Sequence, residues 1–315
     1  MFAIFFEKTT LKSYFTSSII CFVTVFFIHF CKNKGTLNLE LIPKTIFFWI
    51  LFLGIIWVIG YLENKNSVNN FRAIHLLSFP LVYLFFPHGK EVVFIKVFIG
   101  ILLIIGKYSF SRIFIEKKSY MRLFDLSFVI SLLILYNGIF FLFLIIPISV
   151  LFSQKYRDSK HLVSLATPLI AVPVIFRIFQ KFFLDKTTSI FDFYYSVNTW
   201  KIEENLYYSE VFWFTAIFIA IIASLLFRPK RYEKNSSQDR QEGFLYMTFW
   251  LYISIIIGYF SLHKGDVKWF LSFIPVAYFF GIFLDKIKLN NIKNIVIYLL
   301  FITAVIFKLI ENQII

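Results

Sequence analysis

From Leu123 to Gln154 the chain runs for 32 residues without a basic side chain, between Arg122 and Lys155. As a single α-helix this stretch would be about 48 Å long, well beyond the ~30 Å hydrocarbon core of a bilayer. Halfway along stands Tyr136-Asn137-Gly138, and an Asn-Gly pair is a strong local turn signal. The stretch therefore reads as two helices, over 123–136 and 138–153, folded back as a central hairpin with both ends on one side. Neither arm reaches across the full hydrocarbon depth, so the turn falls at a level where irregular backbone survives only when packed in protein or beside a wet cavity. Asn137 is accordingly expected either to shape the turn or to line a substrate cavity.

The rest of the chain follows the same logic. Of its 315 residues, 59% are hydrophobic and 22% aromatic, which excludes a soluble domain. Apolar runs suited to membrane helices cover roughly 13–31, 44–62, 71–87, 91–107, 161–181, 211–227, 244–262, 269–284 and 295–310. With the two hairpin arms this predicts an all-α, polytopic transmembrane helix bundle of about eleven membrane segments, forming one integral membrane domain over 1–315. Residues 1–12 read as an interfacial segment, 182–210 as an outer loop and 228–243 as a cytoplasmic basic loop. No A-x-A-like cleavage site follows Lys8 and Lys12, so the first apolar run reads as a retained span.

The net charge of +14 is carried mainly by short connections between apolar runs, the pattern of the positive-inside rule rather than of a nucleic-acid-binding surface. With the N-terminus inside, inner segments hold 20 Lys and Arg and outer segments 11, and the two most basic connections, 107–122 and 228–243, both fall inside. This predicts an N-in, C-out protein whose partners are membrane lipids, with no nucleic acid. Cys21 and Cys31 lie ten positions apart on one predicted helix, about 15 Å by rise, too far for a disulfide.

Motifs with specific chemistry are scarce. Gly100 to Lys107 superficially resembles a phosphate loop, but it has a residue too many, no Ser or Thr after the lysine, and an apolar setting. His29, His75, His88, His161 and His263 are scattered without metal-ligand spacing, there is no nucleophile-elbow motif, and no cofactor is implied. Asp125 sits where it would cap the first hairpin arm. The predicted outer face is richer. Arg177 and Lys181 are one helical turn apart, with Asp185 a turn further on, and Lys96 lies inside the outer end of the fourth span. Such cations ordinarily snorkel to headgroups; their sharper reading is a cradle for a lipid-borne phosphate. The 185–210 loop adds Asp192, Glu203, Glu204 and Glu210 among Tyr and Trp residues, and His263-Lys264 belongs to another polar outer turn.

Three stretches carry a family resemblance: Leu62-Glu-Asn-Lys-Asn-Ser-Val-Asn-Asn-Phe71 leading to Leu84-Phe-Phe-Pro87; Arg122-Leu-Phe-Asp125-Leu-Ser-Phe128 before the broken apolar pair; and Tyr156-Arg157-Asp158. Together they resemble an uncharacterised family of bacterial polytopic inner-membrane proteins, a domain of unknown function, most closely over 1–175. The resemblance implies a bacterial cytoplasmic membrane and no particular activity. More distantly, the layout is similar to multi-span lipid-linked-sugar glycosyltransferases and polysaccharide polymerases. The transferases usually carry an acidic pair in the first outer loop, where this chain has only Glu40. The leading expectation is therefore a cell-envelope protein handling a polyprenyl-phosphate-linked sugar or other lipid at the outer leaflet. Asp192 or Glu40 would act as general base, and Lys96, Arg177 and Lys181 would hold the phosphate, with Asn137, His263 and Lys264 completing the substrate site. The alternatives are a transporter or flippase, and a non-enzymatic subunit of a membrane-protein complex.

Overall fold

The computed structural model describes residues 11–33, 41–66, 74–86, 93–152, 158–183, 208–227, 238–260 and 266–311. Among them all regular structure is helical. In chain order these are α1 (Leu11–Lys32), α2 (Leu41–Asn66), α3 (Ile74–Phe85), α4 (Val93–Ile113), α5 (Ser119–Tyr136), a 3₁₀ segment (Gly138–Leu144), α6 (Ile145–Leu151), α7 (Ser159–Phe183), α8 (Tyr208–Leu226), α9 (Gln238–Phe260), α10 (Asp266–Lys286) and α11 (Asn290–Glu311). Six of these helices contain stretches long and apolar enough to cross a membrane: Lys12–Lys32, Ser119–Tyr136, Ser159–Phe182, Gln241–Tyr259, Trp269–Lys286 and Asn290–Ile310.

Over its first half the faces of α1 are inverted relative to a soluble helix. Ser13, Ser17, Cys21 and Thr24 point inward and are buried, whereas Phe15, Ile19 and Val23 are exposed. Small, weakly polar side chains against neighbouring helices and bulky apolar ones outward is the arrangement a lipid solvent selects, because hydrocarbon gives no hydrophobic reason to hide a Phe. This is a multi-pass membrane fold.

The chain forms two compact units. One comprises Met1–Phe98, Glu204–Arg228 and His263–Ile315; the other comprises Ile99–Glu203 and Pro229–Leu262.

The first unit is built around α3. This 12-residue helix is surrounded by α1, α2, α8, α10 and α11, and every residue from Leu76 to Val82 is buried. A helix apolar on all sides is stable only when enclosed in this way. Phe273 of α10 is the hub of its aromatic packing, with ring centroids 5.7 Å from Phe52, 6.1 Å from Phe79, 5.9 Å from Tyr83 and 5.6 Å from Phe86. Pro80 lies within α3 and has no N–H to donate to the carbonyl four residues back, at Leu76. Ser17 of α1 supplies the missing donor: its hydroxyl donates to Leu76 O at 2.9 Å.

In the second unit α5 packs along α7. The Ser119 hydroxyl meets His161 Nε2 at 2.7 Å, and further along Ser131 donates to Pro168 O at 3.0 Å. Contacts that advance together along both helices mean that α5 and α7 run in the same direction, so the chain between them leads back to the end where α5 began. The reversal starts at Asn137. Its N–H donates to Leu133 O as the C-cap of α5, while its Oδ1 accepts from Ile139 N at 3.0 Å as the N-cap of the 3₁₀ segment. Asn137 adopts extended backbone, φ −155° and ψ 126°. It therefore works as a double cap and not through a left-handed Asn-Gly turn. Seven 3₁₀ residues at ~2.0 Å each and the seven of α6 at ~1.5 Å make the second arm roughly 24 Å long. The 18-residue α5 is about 27 Å long because it begins at Ser119, a turn earlier than expected.

α4 and α9 meet where Tyr246 donates to Leu103 O at 2.9 Å. Gly106 admits that phenol: a Cβ there would lie 2.7 Å from the Tyr246 oxygen and no closer than 3.4 Å to any other neighbour.

Two double-mutant cycles test these contacts. Ser17→Ala strands a buried carbonyl and should cost about 1–3 kcal/mol. In a Pro80→Ala background, where the helix can bond Leu76 O itself, the cost should largely vanish. Gly106→Ala should be destabilising alone and largely rescued by Tyr246→Phe, which removes the clashing oxygen. Thermal unfolding in detergent reads both; additive effects would contradict the assigned contacts.

Candidate functional site

Arg177 and Lys181 lie on successive turns near the C-terminal end of α7, and both are exposed. Around them Ile175, Ile178, Phe179 and Phe182 are exposed as well. The two cations thus project beside bulky, exposed apolar side chains. Asn137 is engaged in capping both sides of the hairpin break, so its amide serves the backbone. Lys96 belongs to α4, in the part assigned to the first unit, whereas Arg177 and Lys181 belong to the second. Glu40, Asp192, His263 and Lys264 lie outside the described residues. Within the second unit the described structure places Arg177 and Lys181 side by side on α7.

The opposite end of α5 and α7 carries polar geometry that the sequence reading passed over. Asp158 caps α7, accepting from the His161 backbone N–H at 3.2 Å through Oδ1. The same oxygen bonds His161 Nδ1, and His161 Nε2 faces the Ser119 hydroxyl at 2.7 Å. Ser119 and His161 are buried; Asp158 is exposed. The hydrogen bond from His161 holds the Asp158 carboxyl below its usual range. An ionised carboxylate can only accept, so Nδ1 presents an N–H to it; in the neutral ring Nε2 then accepts from Ser119.

No family model matches this chain. Nor does any curated protein or solved structure match it. Function must therefore be read from side-chain geometry. Among the described residues no three His, Cys, Asp or Glu side chains gather closely enough to hold a metal ion.

Beside this trio lies an arginine cluster. Arg122 makes a two-pronged contact with Glu116, Nε to Oε2 at 2.8 Å and Nη2 to Oε1 at 3.0 Å, and reaches Asp125 Oδ2 at 3.2 Å. Arg122 and Arg112 both lie over the Tyr108 ring, 5.7 and 5.5 Å from its centroid. Asp125 thus partners Arg122 and does not cap α5, because the helix begins six residues before it. In the first unit Glu210 is fully buried at the start of α8, with Trp269 Nε1 donating to its Oε1 at 3.1 Å; Trp213 donates nearby to Ser272 at 3.2 Å. In the sequence Glu210 is one of several acids grouped with a loop; the folded chain places it on α8, buried.

The Arg122 hydrogen bond holds the Glu116 carboxyl below its usual range. A depressed folded-state pKa adds stability above the unfolded value of about 4.3, and that stability is lost as pH falls through the folded value. The pair is partly exposed, so the contribution is under about 1 kcal/mol. Melting midpoints measured between neutral and acidic pH should therefore fall slightly less for Arg122→Gln than for the parent protein.

Proposed function

We propose that this is a bacterial inner-membrane protein, N-terminus in the cytoplasm and C-terminus outside, that binds a phosphate-bearing lipid at the outer leaflet. In this reading the chain crosses or enters the bilayer with about eleven segments, the hairpin of α5 and the 3₁₀–α6 arm among them. The observation that carries it is the pair Arg177 and Lys181, exposed one turn apart within a surface of exposed Ile and Phe. A phosphate can accept from both cations while an isoprenoid or acyl chain lies along the same helix. A polyprenyl-phosphate-linked sugar is the substrate that best suits this combination. Asp192 or Glu40 would then serve as general base toward the acceptor, and Lys96, His263 and Lys264 would add to the phosphate site.

The test is binding of a polyprenyl phosphate to the protein in nanodiscs, with the neutral polyprenol as control. The phosphate should bind more tightly than the alcohol, and Arg177→Ala/Lys181→Ala should weaken it by about 10-fold or more, the loss of two charge-assisted hydrogen bonds. Equal affinity for phosphate and alcohol would remove the basis of the proposal.

A further inference from the structure

The geometry points to a second reactive centre: we propose that Ser119 is a nucleophile activated by His161, forming an acyl-enzyme from ester-linked, anionic lipids at the membrane surface. The relation of the three side chains is the one acyl transfer requires. Nε2 of His161 lies 2.7 Å from Ser119 Oγ, and Nδ1 is bonded to the Asp158 carboxylate, which in the neutral ring favours the tautomer whose Nε2 can take the hydroxyl proton. Ser119 and Asp158 are far apart in sequence from each other's helix, and the parallel pairing of α5 with α7 is what brings the three together.

Ser119 also opens α5, whose N-cap, Lys118, makes no side-chain cap. Met121 N–H closes back onto Lys118 O at 3.0 Å, and the Ser119 and Tyr120 amides before it lie at the helix's positive end, where a carbonyl oxygen beside Ser119 would meet them as charge develops. The surroundings select the substrate class. Lys118 and Lys160 are exposed at this end and favour an anionic headgroup, while exposed Met121, Leu162 and Val163 favour an acyl chain.

The chemistry closes without a co-reactant other than water. Ser119 Oγ attacks the ester carbonyl as its proton passes to His161 Nε2. The alkoxy C–O bond then breaks and the leaving alcohol takes that proton. Water, giving a proton to the same nitrogen, hydrolyses the acyl-serine, and the proton returns to Ser119 as the fatty acid leaves. Asp158 is a positioning residue: it orients the imidazole and stabilises its charged form.

This centre is independent of Arg177 and Lys181, so the two proposals fail separately. The decisive experiment treats the purified full-length protein, in detergent, with a long-chain alkyl fluorophosphonate and locates the adduct by peptide mass. The expected result is a single adduct on Ser119, absent in Ser119→Ala and formed about 100-fold more slowly in His161→Ala. Asp158→Asn should also slow labelling while Asp158→Glu restores it, which a purely structural cap would not do. Because the first observation is made on the unaltered protein, it does not depend on any variant folding. No adduct on Ser119 would overturn the proposal and leave the trio as a helix-capping network only.

Discussion

A carbonyl that cannot reach water must find its donor inside the protein, and much of this structure answers that demand. Pro80 removes the partner of Leu76 O in the middle of a helix buried on every side. The Ser17 hydroxyl replaces it and in doing so fixes the register of α1 against α3. Apolar packing alone is permissive about how far one helix slides along another. A single hydroxyl that must meet a single oxygen is not. Ser131 reaches Pro168 O and Tyr246 reaches Leu103 O, carbonyls that keep an N–H four residues on, so each unit contains at least one helix pair tied by a side chain to a backbone carbonyl.

The hairpin break obeys the same rule by local means. Asn137 spends both its N–H and its side-chain oxygen on the two helix ends it joins, so the reversal leaves few backbone groups bare. The following seven residues adopt the tighter 3₁₀ form, which gains about 0.5 Å per residue over an α-helix and lets a short arm extend further. Outward, the bundle shows lipid-compatible side chains. Inward, it keeps serines and threonines that would be unremarkable in water but, in hydrocarbon, are useful as donors between helices.

Among the described residues the candidate chemistry sits at helix ends. The Ser119–His161–Asp158 trio and the Arg122 cluster sit where α5 and α7 begin, and the exposed pair Arg177 and Lys181 sits where α7 finishes. Charge near the middle of a span costs several kcal/mol, so a membrane protein concentrates its reactive groups where water and headgroups are within reach. Glu210 fits the pattern too, buried at the first turn of α8 with an indole N–H in place of water.

Sequence alone determined the all-helical, multi-pass character, the placement of most helices within a few residues, and the break at Asn137. These follow from run length, hydropathy and turn chemistry, all local properties of the chain. It also singled out Arg177 and Lys181, whose spacing on one helix needs no tertiary information. It could not show that Ser17 serves a carbonyl freed by Pro80, that Tyr246 fills the space left by Gly106, or that His161, apparently one of five scattered histidines, joins Ser119 to Asp158. Apart from the local His161–Asp158 contact, those relations connect residues tens of positions apart, or more than a hundred. They depend on which helices lie side by side and in which direction, and in a bilayer nearly every apolar face fits nearly every other. Only the folded bundle, where particular buried hydroxyls meet particular carbonyls, decides among them.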